Sequence, residues 1–263
     1  MWSYQKWKQR RLLRRYQYPA DVWRNVLSKA PILHGLSDDE LHRLRDLAVL
    51  FLHEKSIEAT QGVTLSKETR LLIAVQACLP ILNLGLSWYK GWYSVIIYPA
   101  GFIPTRKQVD DAGVVHDIQH ALSGEAWLRG PVILSLSDVI ESGAIDGRNV
   151  VIHEFAHKLD MLNGAANGFP PLHSDMDSKI WARVFSEAYA DLRAKIAHGD
   201  AVDIHPYATT SPAEFFAVVS EVFFATPLVV KHSYPAVYQQ LCAFYRQDPQ
   251  QHSLACCVNA RSG

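Results

Sequence analysis

The 263-residue chain carries no surplus of either charge: 26 lysines and arginines stand against 26 aspartates and glutamates. That balance excludes the overall field that would draw the whole protein to nucleic acid or an acidic surface. Cysteine is scarce, and Cys78, Cys242, Cys256 and Cys257 show no CxxC spacing. A zinc finger and a disulfide framework are thereby excluded, and a reducing, cytoplasmic compartment fits best. No uninterrupted apolar run reaches the roughly 20 residues of a membrane span. The most apolar stretch, LLIAVQACLPILNLGL, is broken by Gln76, Pro80 and Asn83 and reads as a buried helix. The N-terminus lacks the apolar core of roughly 7–15 residues that marks a secretory leader, so none is expected. Internal repeats and low-complexity linkers are missing too. With 49% apolar and 20% charged residues, the composition is that of an ordinary soluble globular protein.

The charge is balanced but unevenly placed. Lys6, Lys8, Arg10, Arg11, Arg14 and Arg15 precede the first acidic residue, Asp21, and Trp2, Tyr4 and Trp7 lie among them. Such an arm could touch nucleic acid or an anionic membrane. A solvated, flexible terminus is the simpler expectation, with no membrane and no direct nucleic-acid contact. Three segments are expected: a basic arm over 1–20, a single catalytic domain over 21–250 with an N-terminal helical part, and a flexible tail over 251–263.

Within the domain, Ser37 and Glu40 are placed as a capping box before LHRLRDLAVLF, whose apolar residues recur at helical spacing. KSIEAT alternates weakly and reads as a short strand, and Ser66 caps a second helix. WYSVIIYPAGFIP and GPVILSLSDVI are rich in β-branched or apolar residues and are punctuated by Pro and Gly, as strands would be. SKIWARVFSEAYADLRAKIA and SPAEFFAVVSEVFFATP are amphipathic and apolar helices, the latter with Pro212 in its first turn. Helices and a few strands intermix, which predicts an α+β domain with helices packed on a small sheet.

The segment NVVIHEFAHKLDMLNG holds His-Glu-x-x-His: His153, Glu154 and His157. Residues four apart project from one helical face, so the two imidazoles can meet one ion. Zinc takes such nitrogens at about 2.0–2.1 Å. Glu154 sits beside the first histidine, within reach of a water at the ion, in the position of a general base. The flanking apolar residues predict a buried helix, on which these polar groups need partners. One Zn2+ per chain is the expected cofactor.

A catalytic zinc has three protein ligands. The continuation HExxHxxGxxH is absent, since Asp160 and Asn163 occupy the later positions. Beyond His157 only Glu187, Glu214 and Glu221 remain as glutamates. Glu187 belongs to a charged amphipathic segment. Glu214 lies among Phe215, Phe216, Val218 and Val219, although Ser211 three residues earlier could instead make it half of a capping box. Glu221, two turns on, shares its face. It is either the ligand or an acceptor that orients a ligand histidine. Asp160, one turn past His157, is a second candidate for that orienting role.

Taken together, HEFAHKLDMLNG, YATTSPAEFFAVVSEVFF, CLPILNLGLSWYKGW, IYPAGF and GPVILSLSDV resemble the Mlc titration factor A family of zinc peptidases, from about Leu33 to Pro249. The resemblance implies a zincin-like, gluzincin-type fold related to the catalytic domain of anthrax lethal factor. It implies His153, His157 and Glu214 as ligands, and places Tyr207, seven residues before Glu214, near the metal. It further implies cytoplasmic aminopeptidase activity on small aminoacyl amides or peptides, and binding to Mlc, a repressor of glucose-phosphotransferase genes.

The chemistry expected is hydrolysis by a zinc-activated water, with Glu154 as base and Tyr207 as oxyanion donor. Val132, Ile133, Leu134 and Ser135 are candidates for an edge strand to which an extended substrate adds. For binding a free α-amine, Asp117, Asp138 and Glu141 are unranked candidates. His116 and His120 repeat the four-residue spacing without a glutamate and read as surface or helix-capping histidines. The competing class is a regulatory zinc protein that sequesters a transcription factor, with vestigial or latent catalysis.

Overall fold

The structure is a computed structural model that describes residues 2–99, 105–109, 115–119, 124–126, 130–142 and 148–251. It opens on helix α1 (Trp2–Arg15), which packs against helix α3 further on. Leu12 and Leu13 of α1 lie against the core, while Lys8, Arg10, Arg11, Arg14 and Arg15 stay exposed. Where the sequence suggests a solvated arm, the structure thus has a helix anchored by two leucines. Helix α2 (Ala20–Ser28) follows, then α3 (Asp38–Glu54), strand β1 (Ser56–Ala59) and helix α4 (Lys67–Cys78). The Ser37–Glu40 capping box opens α3, and Ser66 Oγ accepts from the Thr69 N–H at the head of α4. Each satisfies backbone donors that the first turn of a helix leaves free.

Strands β2 (Ser94–Tyr98), β3 (Thr105–Val109), β4 (Val115–Gln119), β5 (Gly124–Ala126) and β6 (Val132–Ser135) come next. One sheet has the order β1-β2-β6-β5, with β1, β2 and β6 parallel and β5 antiparallel. β3 and β4 form a separate antiparallel pair. The parallel neighbours β1 and β2 are joined through α4, because a parallel pair needs a crossover longer than any hairpin turn. All four residues of β6 are buried, as expected of a strand covered on both faces.

Three sequence expectations change here. Val132, Ile133, Leu134 and Ser135 do not form an edge: β6 pairs with β2 along its length and with β5 over its first three residues, so it lies inside the sheet. The run GPVILSLSDVI is a strand only as far as Ser135. Ser135 Oγ accepts from the Asp138 N–H and starts helix α5 (Leu136–Glu141). His116 lies in β4 opposite Gln108, within a strand rather than at a helix end. His120 itself falls outside the described residues, as do Cys256 and Cys257.

The C-terminal half is helical: α6 (Val150–Asp160), α7 (Ser178–His198), α8 (Pro212–Ala225), α9 (Pro227–Ser233) and α10 (Pro235–Tyr245). α6 packs against α8 and α4 on one side and against β5 and β6 on the other. The arrangement is α+β, with the motif helix buried between the small mixed sheet and α8. Trp181 of α7 is fully buried, stacked on Phe185 at 4.1 Å between ring centres and packed against Phe216 of α8. Among the described residues no helix is long and apolar enough to cross a membrane.

Candidate metal centre

Helix α6 is built to hold its polar residues still. Asn149 caps it, its side-chain oxygen accepting from the Ile152 N–H at 2.9 Å. Val151, Ile152, Phe155, Ala156 and Leu159 are wholly buried. Phe155 inserts among Phe51, Tyr89 and Trp92. The face left over carries His153 and His157, whose Nε2 atoms are 3.2 Å apart.

Helix α8 supplies the third group. Ser211 caps it, accepting from the Glu214 N–H at 3.1 Å, but the Glu214 carboxylate turns towards the histidines. Glu214 Oε2 lies 3.0 Å from His153 Nε2 and 3.4 Å from His157 Nε2. Three candidate ligand atoms thus converge from two helices. Ligands on a tetrahedron with bonds of about 2.0–2.1 Å are about 3.3 Å apart. The three observed separations bracket that value, and two nitrogens with a carboxylate oxygen are a donor set that zinc accepts. The residues fit a divalent metal ion.

Glu221 takes the other side of His153. One carboxylate oxygen bonds His153 Nδ1 and the other accepts from the Asn149 N–H at 3.0 Å. A carboxylate on Nδ1 leaves Nε2 as the free lone pair, the state a metal ligand needs. Asp160 does something else: its Oδ2 accepts from the Asn167 and Gly168 N–H groups at 2.8 and 2.7 Å, anchoring the loop after α6. Glu187 is exposed and pairs with Arg183 across one turn at 3.4 Å.

Glu154 is 3% exposed, and its Oε2 is buried with no hydrogen-bond partner among the described residues. Burial drives its carboxyl up to about 7, against the lowering influence of His153 and His157 and with a further push from Glu214 and Glu221. Burial also disfavours charge on His153 in the metal-free protein. The Glu221 carboxylate and the hydrogen bonds from Glu214 and Glu221 outweigh it, so its pKa is raised well above the ordinary value. For Glu214 the balance runs the other way. Burial alone would raise it, but the two imidazoles hold it well below the usual carboxylate range.

Tyr207 lies in a 3-10 turn (Pro206–Thr209) packed against α8, half-exposed, with its ring centre 6.1 Å from that of His153. Of the candidates for amine recognition, Asp138 and Glu141 lie on α5, where Glu141 is exposed. The side chain of Asp117 is outside the described residues. Sequence reasoning missed Lys158, which is buried one turn beyond Glu154 and donates to the Gly130 carbonyl at 2.8 Å. Its ammonium also lies 5.4 Å from the Trp92 ring centre, and burial lowers its pKa to about 8. A lysine inside a helix whose flanking residues predict burial was the available signal.

Residues 4–246 match the glucose-regulated metallo-peptidase M90 family. The chain belongs to that family. Among curated proteins it is 42% identical to Mlc titration factor A of Salmonella arizonae over 235 residues, 88% of this chain and 92% of that one. It is 39% identical to the protein of the same name from Yersinia enterocolitica, with 86% and 85% of the two chains covered. The Klebsiella pneumoniae protein is 40% identical, with 86% of each covered. In this M90 metallopeptidase the motif histidines and Glu214 are the one group among the described residues placed to hold a metal ion.

Proposed function

We propose that the protein is a zinc-dependent peptidase of the aminopeptidase type, hydrolysing peptide or aminoacyl amide bonds. The observation that carries this reading is the convergence of His153, His157 and Glu214 at 3.0–3.4 Å beside the buried Glu154 carboxyl, whose Oε2 has no hydrogen-bond partner among the described residues. In this reading those three residues hold the ion, and Glu221 fixes the His153 tautomer. When bound, zinc supplies Lewis acidity, which polarises a carbonyl and acidifies water.

The protein's own residues do the rest. Glu154 takes a proton from the attacking water and returns it to the leaving amine. The Tyr207 hydroxyl donates a hydrogen bond to the oxyanion as the carbonyl carbon becomes tetrahedral. Apolar packing around Phe155 keeps bulk water from the back of α6 and holds both histidines in register.

A structural zinc site has four protein ligands and needs no base, so the three-ligand set with Glu154 favours catalysis over sequestration. The relatives' name supports a second role on the same scaffold, binding of an Mlc-type repressor. The test is hydrolysis of alanyl and other aminoacyl chromogenic amides by wild type and Glu154→Gln, with zinc content measured on both. Equal zinc content with turnover by wild type alone is expected. Equal zinc content with equal turnover, or none in either, refutes the peptidase assignment for these substrates and leaves the repressor-binding role.

A further inference from the structure

Behind the metal centre runs a chain of buried amides that ends on a backbone carbonyl of α4. Asn149, 1% exposed, uses every polar group it has. Its side-chain oxygen caps α6, and its backbone N–H goes to Glu221. Its side-chain nitrogen donates to Gln76 Oε1 at 2.6 Å and to the Ser142 carbonyl at 2.9 Å. Gln76, fully buried on α4, donates from its own nitrogen to the Leu72 carbonyl at 3.3 Å.

The orientation of both amides follows from the backbone groups at the two ends. The Leu72 carbonyl can only accept, so the Gln76 nitrogen must face it and the Gln76 oxygen must face Asn149. The Ser142 carbonyl likewise demands the Asn149 nitrogen. The Ile152 N–H can only donate and therefore demands the Asn149 oxygen. Flipping either amide would set oxygen against oxygen in a site without solvent. The side chain of Asn149 is thus locked, which fixes the direction of its backbone N–H and hence the seat of the Glu221 carboxylate on His153.

Taking His153 as a metal ligand, as proposed above, we infer that Asn149 and Gln76 are positioning residues for it, acting through Glu221. Neither touches the ligand atoms. The relay Leu72–Gln76–Asn149–Glu221–His153 ties the metal face of α6 to α4 and α8 at once, holding the imidazole against rotation. Groups that support a ligand histidine in this way typically govern about 10–100-fold in metal affinity.

The test is zinc affinity by competition with a chromophoric chelator for wild type, Asn149→Ser, Gln76→Met, Glu221→Gln and the double variants carrying Glu221→Gln. Serine keeps a capping oxygen and methionine keeps the volume, so at least one single variant is expected to retain the fold, as checked by circular dichroism in chelator. Roughly tenfold weaker zinc binding is expected in each single variant. Neither substitution should weaken binding further once Glu221 is glutamine, since the path is already cut. Unchanged affinity in the single variants, or equal loss with and without Glu221, overturns the relay. His153→Ala separates the two ideas: if it leaves zinc binding intact, the metal-centre reading fails and the relay has nothing to position.

Discussion

A carboxyl buried as deeply as that of Glu154 should weaken the metal-free protein, and the cost can be worked out. Its pKa rises from the usual 4.5 to about 7 on folding, chiefly because burial penalises the ion. At about 1.36 kcal/mol per pH unit, that gap is worth roughly 3 kcal/mol. Below pH 4.5 the group is neutral in the folded and the unfolded chain, and it has no effect. Between 4.5 and about 7 the unfolded chain ionises while the folded one keeps its proton, so folding weakens steadily as pH rises. Above 7 both forms are ionised and the loss stays constant. Glu154→Gln removes this dependence while keeping the shape. In urea denaturation with chelator present, the variant should gain on wild type by roughly 3 kcal/mol between pH 4 and pH 8. Any mismatch of the amide itself shifts the comparison by the same amount at every pH, so the slope of the difference is the quantity to read. A difference that does not change with pH would refute the claim that burial holds Glu154 as an acid with a raised pKa.

Two further substitutions test how the site is framed. Tyr207→Phe should lower kcat on aminoacyl amides by about 10²-fold with little change in KM, as loss of an oxyanion donor does, and a kcat within twofold of wild type would remove Tyr207 from the reaction. Gly168→Ala should lower the melting temperature by roughly 5–10 °C, from a cost of about 2–3 kcal/mol. Gly168 has φ +77°, and a Cβ there would sit 2.5 Å from the Pro212 carbonyl oxygen, at the start of the helix that carries Glu214. Zinc affinity should fall with stability, and an unchanged melting temperature would show that the loop and α8 are not in fixed contact.

What the sequence determined by itself was whatever is decided within one or two helical turns. The four-residue spacing of His153 and His157, the place of Glu154 beside them, the Ser37–Glu40 box and the caps at Ser66 and Ser211 depend only on the pitch of a helix and the unpaired donors at its start. Each of those local contacts is present in the fold. Short elements without a long periodic face escaped such reading, among them α2, α5, α9 and α10 and the strands β3 to β5. Periodicity needs several turns or alternations before it can be told from chance.

Which carboxylate meets which nitrogen was a question of tertiary structure. Glu214 and Glu221 share a helix face and have the same chemistry, and only the packing of α8 on α6 sends one to Nε2 and the other to Nδ1 of His153. The same holds for Asp160, which turns to a backbone loop, and for β6, whose pairing on both sides is a property of the sheet rather than of Val132–Ser135. Gln76 and Asn149 are 73 residues apart, and nothing in either segment announces the other. A hydrogen bond is fixed by distances of a few tenths of an ångström, and those are set only when the core closes around both partners.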